Sequence, residues 1–276
     1  MTMLTRRAAL FGAAFAALLL LAPVCATSGG IINRWSGVFP VSPGALLEIT
    51  VDVGNVDIRR SDSSQVELNG TLYNVERIDF GVIPWTAPAA DRISVYAKIK
   101  PQFASRAAAV LDIAVPDGIR MNVEIVNGNI TMVGVATGGA VLKTGNGAIR
   151  VENATGFLTL ETQNGKIVVN GLEGAIDARA DVGPIRIVGV FLPGHASRIR
   201  TNDGDVDVTL DGVANIRLRG ATENGRISAT GIPGFQVTRR AESAATGWKF
   251  SGTLGDGAAS LEVDVRNGSI RVRIKP

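Results

Sequence analysis

Seven short phrases set the rhythm of this chain. They are Asn127-Gly128-Asn129-Ile130, Asn146-Gly147-Ala148-Ile149, Asn164-Gly165-Lys166-Ile167, Val182-Gly183-Pro184-Ile185, Asp203-Gly204-Asp205-Val206, Asn224-Gly225-Arg226-Ile227 and Asn267-Gly268-Ser269-Ile270. Their glycines are separated by 19, 18, 18, 21 and 21 residues, and then by 43. A period near 20 marks a repeat architecture, in which each unit buries its apolar side only by stacking on its neighbours. The interval of 43 is about two periods and reads as a repeat that has lost its glycine. An early copy of the pattern runs through Leu47, Ile49, Val51, Gly54, Val56 and Ile58.

Aligned on the glycines, the repeats show apolar or Thr columns. Ile125, Thr144, Thr162, Ala180, Thr201, Thr222 and Val265 stand three residues before, and Ile130, Ile149, Ile167, Ile185, Val206, Ile227 and Ile270 two after. Met132, Val151, Val169, Ile187, Val208, Ala229 and Val272 stand four after. Polar residues such as Arg150, Lys166, Arg186, Asp205, Asp207, Arg226 and Arg271 lie between them. Alternation with period two gives each strand one buried and one solvated face.

Two architectures satisfy this pattern. Asn-Gly between alternating strands is a strong hairpin signal, so an antiparallel meander or sandwich fits. In a parallel solenoid each period is instead one coil, the Asn-Gly marks a corner, and Asn stacks on Asn and Ile on Ile. Recurrence of the same residue type in register favours the second. The expected fold is all-β: a right-handed parallel β-helix-like solenoid of ~20-residue repeats with an irregular β cap at its N-terminus. Its corners would form a turn ladder of Asn127, Gly128, Asn146, Gly147, Asn164, Gly165, Asp203, Gly204, Asn224, Gly225, Asn267 and Gly268.

Four segments follow. Residues 1–26 read as a signal peptide, with Arg6 and Arg7 before the apolar run Ala8 to Leu21, and cleavage near Ala26 in Val24-Cys25-Ala26. Residues 27–44, with Gly29, Gly30, Pro40 and Pro43, read as a linker, 45–120 as an irregular β region or cap, and 121–276 as the β-repeat domain. Within the cap, residues 73–90 read as a long loop around Pro84, Trp85 and Pro88. Thr5 to Leu10 also resembles a twin-arginine signal. Cys25 is the sole cysteine, and lipidation there is the alternative to cleavage after it. No second apolar run long enough to span a membrane follows. The expected location is outside the cytoplasm: periplasm, cell surface or medium.

The repeated Asn-Gly-x-Ile phrases, the lead-in Val115-Pro116-Asp117-Gly118 and the export signal resemble the bacterial putative-adhesin family of β-strand-repeat domains, a family of unknown function. The resemblance covers most of the chain from about Leu46. It implies a β-helix-like fold and an envelope or exported setting, and it carries no catalytic residues over. Val182 and Pro184 depart from its pattern.

Little in the chain points to chemistry. Setting aside Arg6 and Arg7 leaves 26 basic residues against 25 acidic ones, which gives no global field for nucleic acid. His195 is the only histidine, too few for a histidine metal cluster or a triad with neighbours to support it. Asp203, Asp205 and Asp207 are the one calcium candidate, yet the twelfth position from Asp203 is Ala214, where a calcium-binding hand needs glutamate. A lyase on a β-helix would need acids and bases on one face, for which Asp205, Asp207, Arg186 and Arg226 are the candidates. Gly145-Asn146-Gly147 precedes a strand rather than a helix, so it is no phosphate loop. Short strands without aromatic girdles speak against an outer-membrane barrel. The reading is a non-enzymatic, cofactor-free, adhesin-like binding or scaffolding protein. Its partner would be an envelope or extracellular polysaccharide or protein, and a carbohydrate-active enzyme is the alternative.

Overall fold

The computed structural model describes residues 32–85, 89–102, 107–211, 215–239 and 247–275. The signal segment 1–26, with Cys25 and Ala26, lies outside the described residues. The described residues form nineteen strands in one wrapped sheet and a single 3-10 turn, Val75–Arg77.

Pairing within the repeats is parallel. Ile167 lies beside Ile149 on one side and Ile185 on the other, and Thr162 lies between Thr144 and Ala180. A hairpin at Asn164-Gly165 would have set Thr162 opposite Ile167, so the meander alternative is excluded and the fold is the solenoid. Each coil has an arm before its corner and an arm after it. Gly139–Asn146 is such a leading arm, and the corner at Gly147 joins it to Ile149–Asn164, which serves as the trailing arm of one coil and the leading arm of the next.

The core runs along the stack between the arms. Ile130, Ile149, Ile167, Ile185, Val206 and Ile270 are buried in one column, with Met132, Val151, Val169, Ile187, Val208 and Val272 in the next. Each such side chain contributes roughly 1.5–3 kcal/mol through removal from water. Ile227 corrects the expected column. It is only partly buried, because Ile227–Thr230 is the last trailing arm and pairs on one side alone.

At both ends, spatial order departs from chain order. Before Arg120–Asn127 the next leading arm is residues 46–53, and outside it lies Ala90–Ile99, which comes later in the chain. Likewise Ala196–Asp203 pairs with Ala259–Asn267, and Ile216–Asn224 lies beyond. The chain's first and last coils are therefore each tucked one place inside the stack. Antiparallel strands close the ends: Gln65–Tyr73 and Ile78–Trp85 at one, Gln236–Arg239 and Trp248–Leu254 at the other. Tucking gives the terminal coils partners on both sides, where chain ends otherwise fray. Capping strands reduce the row of free backbone groups that invites edge-to-edge association, and Pro40 and Pro84 blunt the outermost strands further.

Three readings are corrected by this arrangement. Among the described residues the 43-residue interval holds no degenerate coil; Gln236–Arg239 and Trp248–Leu254 form an antiparallel excursion, and Gly268 returns inside Gly225. Residues 32–44 of the expected linker belong to the strand Ile32–Arg60, paired antiparallel with Gln65–Tyr73. The expected loop at 73–90 contains the strand Ile78–Trp85, whose Phe80 packs edge-on against Trp35 at 5.5 Å. The arms at residues 46–60, 90–99 and 108–115 continue the same stack as the repeats after 120.

Candidate ligand-binding face and the corner ladder

The corners are held by four kinds of contact. Backbone hydrogen bonds cross from coil to coil, as from Gly147 N to Asn164 O at 2.9 Å and Gly165 N to Val182 O at 2.9 Å. The glycines sit on one another's carbonyls: a Cβ on Gly147 would lie 1.9 Å from Gly128 O, and one on Gly165 1.8 Å from Gly147 O. Glycine is required there by lack of space, since Gly165 shows the clash without a left-handed backbone. None of the corner asparagines adopts a positive φ, so tolerance of that conformation does not account for them. They form a side-chain ladder. Asn164 Nδ2 donates to Asn146 Oδ1 at 3.0 Å, and Asn146 Nδ2 to Asn127 Oδ1 at 2.8 Å. Past Val182 the ladder resumes, with Asn224 donating to Asn267 at 2.8 Å and Asn267 to Asp203 at 2.6 Å.

The fourth contact explains the threonines. Thr144, Thr162, Thr201 and Thr222 are buried, and each hydroxyl donates to a corner glycine carbonyl of an adjacent coil, over 2.7–3.1 Å. A buried hydroxyl without a partner would be costly, and here each is satisfied. In the sequence these threonines stand only as members of a buried-type column, and their fixed place three residues before the glycine is the signal of this role.

The acidic run serves the ladder and the ion pairs of the outer face. Asp203 accepts from Asn267, and Asp205 Oδ1 accepts from Ser269 N at 2.8 Å. Asp207 is approached by Arg186, Arg271 and Arg273 at 3.3–3.7 Å. Among the described residues, no three acidic, His or Cys side chains gather as a metal-binding group. Of the lyase candidates, Asp205, Asp207 and Arg186 thus lie in a network centred on Arg271 and Asp207, while Arg226 stands exposed at its corner. His195 lies in the turn before Ala196–Asp203, with its ring edge-on to Phe157 at 4.7 Å.

A depression of the outer surface lies elsewhere, where the tucked C-terminal coil passes. Ser260 lies between Ala196 and Arg217 in register, and Glu262 between Arg198 and Arg219. The small side chains of Ala196 and Ser260 floor a depression of about 370 Å³, walled by Arg198, Arg217, Arg219 and Glu262, with Asp177 at its rim beside Arg198. A second depression of about 470 Å³ opens across Arg217 and Arg219, bordered by Gly234, Gln236, Ser251, Gly252 and Thr253. Arg198 Nε donates to Glu262 Oε2 at 2.8 Å, and Arg219 lies 3.5 Å from Oε1. The hydrogen bond from Arg198 holds the Glu262 carboxyl below its ordinary range. Burial pushes Asp264, two residues on, in the opposite direction, and the charge of Glu262 adds to it. The Arg217 guanidinium makes no hydrogen bond or ion pair among the described residues. This face is not among the sites expected from the sequence; the alternating pairs Arg198/Arg200 and Arg217/Arg219 carried a signal, but only the exchanged coil order brings Arg198, Arg217 and Arg219 around Ser260.

The fold and these surfaces define a parallel β-solenoid built on a glycine-asparagine corner ladder. The chain belongs to the Toastrack DUF4097 family, whose model matches residues 108–273. The family resemblance expected from the repeats is borne out. No curated protein matches the chain. Among solved structures it is similar to a "putative adhesin" from Bacteroides fragilis, at 10% identity over 87% of this chain and 97% of that one, with a TM-score of 0.42. It is also similar to a "putative cell adhesion protein" from Clostridium sporogenes, at 13% identity over 88% and 100%, TM-score 0.37. A "putative lipid binding protein" from Parabacteroides distasonis is similar at 10% identity over 88% and 97%, TM-score 0.32.

Proposed function

We propose that the protein is an exported, non-enzymatic β-solenoid of the bacterial envelope that presents its outer strand faces for adhesin-like binding or scaffolding. The export signal at Arg6 to Ala26 supports the location, and no helix among the described residues is long and apolar enough to cross a membrane. The observation that carries the binding role is the division of labour among the polar side chains. The acidic run at 203–207 is engaged by corner amides, a backbone N–H and arginines, while the depression around Ser260 stays open and keeps a guanidinium that is unpaired among the described residues.

The second reading is a carbohydrate-active enzyme, and one observation favours it. Glu262 and Asp264 lie two residues apart on one strand with their carboxyls displaced in opposite directions, a pattern that separates acid from base in glycosidases. Against it, Arg198 and Arg219 occupy Glu262 from both sides. Incubation with a panel of envelope polysaccharides separates the two. The binding reading expects retention of at least one polymer with its chain length unchanged. New reducing ends or unsaturated sugar products that vanish in Glu262→Gln would establish the enzyme instead.

A further inference from the structure

The outward face around Ser260 narrows the chemistry of the ligand. We propose that this depression binds a carboxylated, uronate-type saccharide, with Arg217 clamping the sugar carboxylate and Glu262 and Ser260 holding adjacent hydroxyls. This rests on the binding role above and adds its ligand class and place.

Arg217 is the reason for a carboxylate. A planar guanidinium presents a rigid fork of donors that matches a carboxylate in a bidentate pair. Arg198 and Arg219 are already turned onto Glu262, whereas Arg217 is exposed, unpaired among the described residues and shared by both depressions. It is therefore the group that gains a full charge-assisted contact when an anion enters.

Glu262 is the reason for a sugar rather than a dense polyanion. Held ionised by Arg198 and Arg219, it places an acceptor carboxylate in the wall of the depression. Hydroxyl donors are drawn to it, and a chain carrying several sulfates on each sugar, with few free hydroxyls left, is repelled by it, which makes it a selective element as well as an attractive one. Ser260 adds a hydroxyl at the floor. The second depression offers Gln236, Ser251 and Thr253 over the bare backbone of Gly234 and Gly252, a polar continuation for a chain crossing Arg217. Arg198 and Arg219 are two strands apart, about 9.6 Å, and Arg217 and Arg219 about 6.8 Å apart along one strand, so the charges follow an extended ligand rather than a single ion.

Other partners fit less well. Leu218 and Leu261 beneath the face are buried, so neither offers the exposed apolar or aromatic anchor on which protein interfaces depend. Among the described residues, no aromatic side chain borders either depression to stack a nucleic-acid base.

The test is calorimetric titration of the full chain with oligogalacturonate and oligoglucuronate, with their carboxyl-reduced forms, and with dextran sulfate. We expect at least one oligouronate to bind and its reduced form not to. Arg217→Gln should weaken binding at least about tenfold, as loss of a charge-assisted pair does. Arg150→Gln, on the trailing arms, should leave it unchanged. Wild-type unfolding temperature in Arg217→Gln shows that the fold is intact. Uronate binding that survives Arg217→Gln, or that dextran sulfate matches, overturns the inference. Binding of only a neutral polymer or a protein overturns it while leaving the general binding role standing. Failure of every ligand class, including the polysaccharide panel, removes both.

Discussion

The middle of the stack and its two ends obey different rules. From Arg120 to Phe191 each coil lies beside its neighbour in sequence, and partners are 18 or 19 residues apart in most pairs. At the ends, partners such as Asp203 and Asn267 are 64 residues apart, because the chain skips a place, turns through antiparallel strands and returns. Two columns run through both regions and fare differently. The glycine column is unbroken: Gly54, Gly128, Gly147, Gly165, Gly183, Gly204, Gly268 and Gly225 each touch the next through a carbonyl. The asparagine column is broken at Val182, which is half exposed. The close backbone approach at the corner is thus a condition of stacking, and the amide ladder is an addition to it.

The largest effect expected from this contrast is at the glycines. Gly147→Ala would drive a Cβ to 1.9 Å from Gly128 O, and overpacking with backbone strain should cost about 2–5 kcal/mol in urea unfolding. Gly118, with φ +79 and open space around its missing side chain, should lose only about 1 kcal/mol as Ala. Similar costs at the two glycines would show that conformation, not space, sets the corner.

The next effect separates middle from end within one buried column. Ile167→Ala removes a fully buried side chain and should cost about 2–5 kcal/mol. Ile227→Ala, on the uncovered last arm, should cost less than half of that. Equal losses would mean that the last arm is covered as fully as the middle.

Smaller and opposite in sign is repair of the ladder. Val182 lies in register between Asn164 and Asp203. The existing ladder donates toward the N-terminal end and stops on the carboxylate of Asp203, which has no proton to give. Val182→Asn combined with Asp203→Asn should stabilise by about 1 kcal/mol, more than the two single changes together. Strict additivity in thermal unfolding would indicate that the amides do not act as a ladder.

The smallest effect is one of pH. The carboxyls of Glu48 and Glu262 are lowered by hydrogen bonds from Arg92 and Arg198, so their contribution is present above the unfolded glutamate range near pH 4.3 and is lost as pH falls through their folded values. Asp264 is raised by burial, so its ionised form opposes folding above its folded value and protonation relieves that cost. Asp264→Asn should raise the unfolding temperature slightly at pH 7 and make no difference at pH 3. A stabilisation of the same size at pH 3 would rule out ionisation as its cause.

What was legible in the sequence follows the same boundary. The Asn-Gly-x-Ile phrases announced corners, columns and stacking wherever neighbours in sequence are neighbours in space. The exchange at the ends was not legible, because a period cannot say which coil a returning strand joins. The 43-residue interval has the length of two coils, though its strands Gln236–Arg239 and Trp248–Leu254 pair antiparallel. The candidate face was hidden for that reason: Arg198 and Arg217 belong to separate repeats, and Ser260 and Glu262 come between them only through the tucked coil. The buried threonines were visible, but their hydroxyls' partners lie on other coils.

The tucked C-terminal coil creates both the order of the stack and the depression at Ser260, and cross-linking reads it directly. Asp207 pairs with Arg271 across adjacent strands, and Ser228 lies on the far side of Arg271. In a background carrying Cys25→Ala, Asp207→Cys with Arg271→Cys should form a disulfide under mild oxidation, since neighbouring strands set Cα atoms about 4.8 Å apart, within bridging range. Asp207→Cys with Ser228→Cys should not, at about twice that spacing. Closure of the second pair, with the first left reduced, would place the coils in chain order and contradict the exchange.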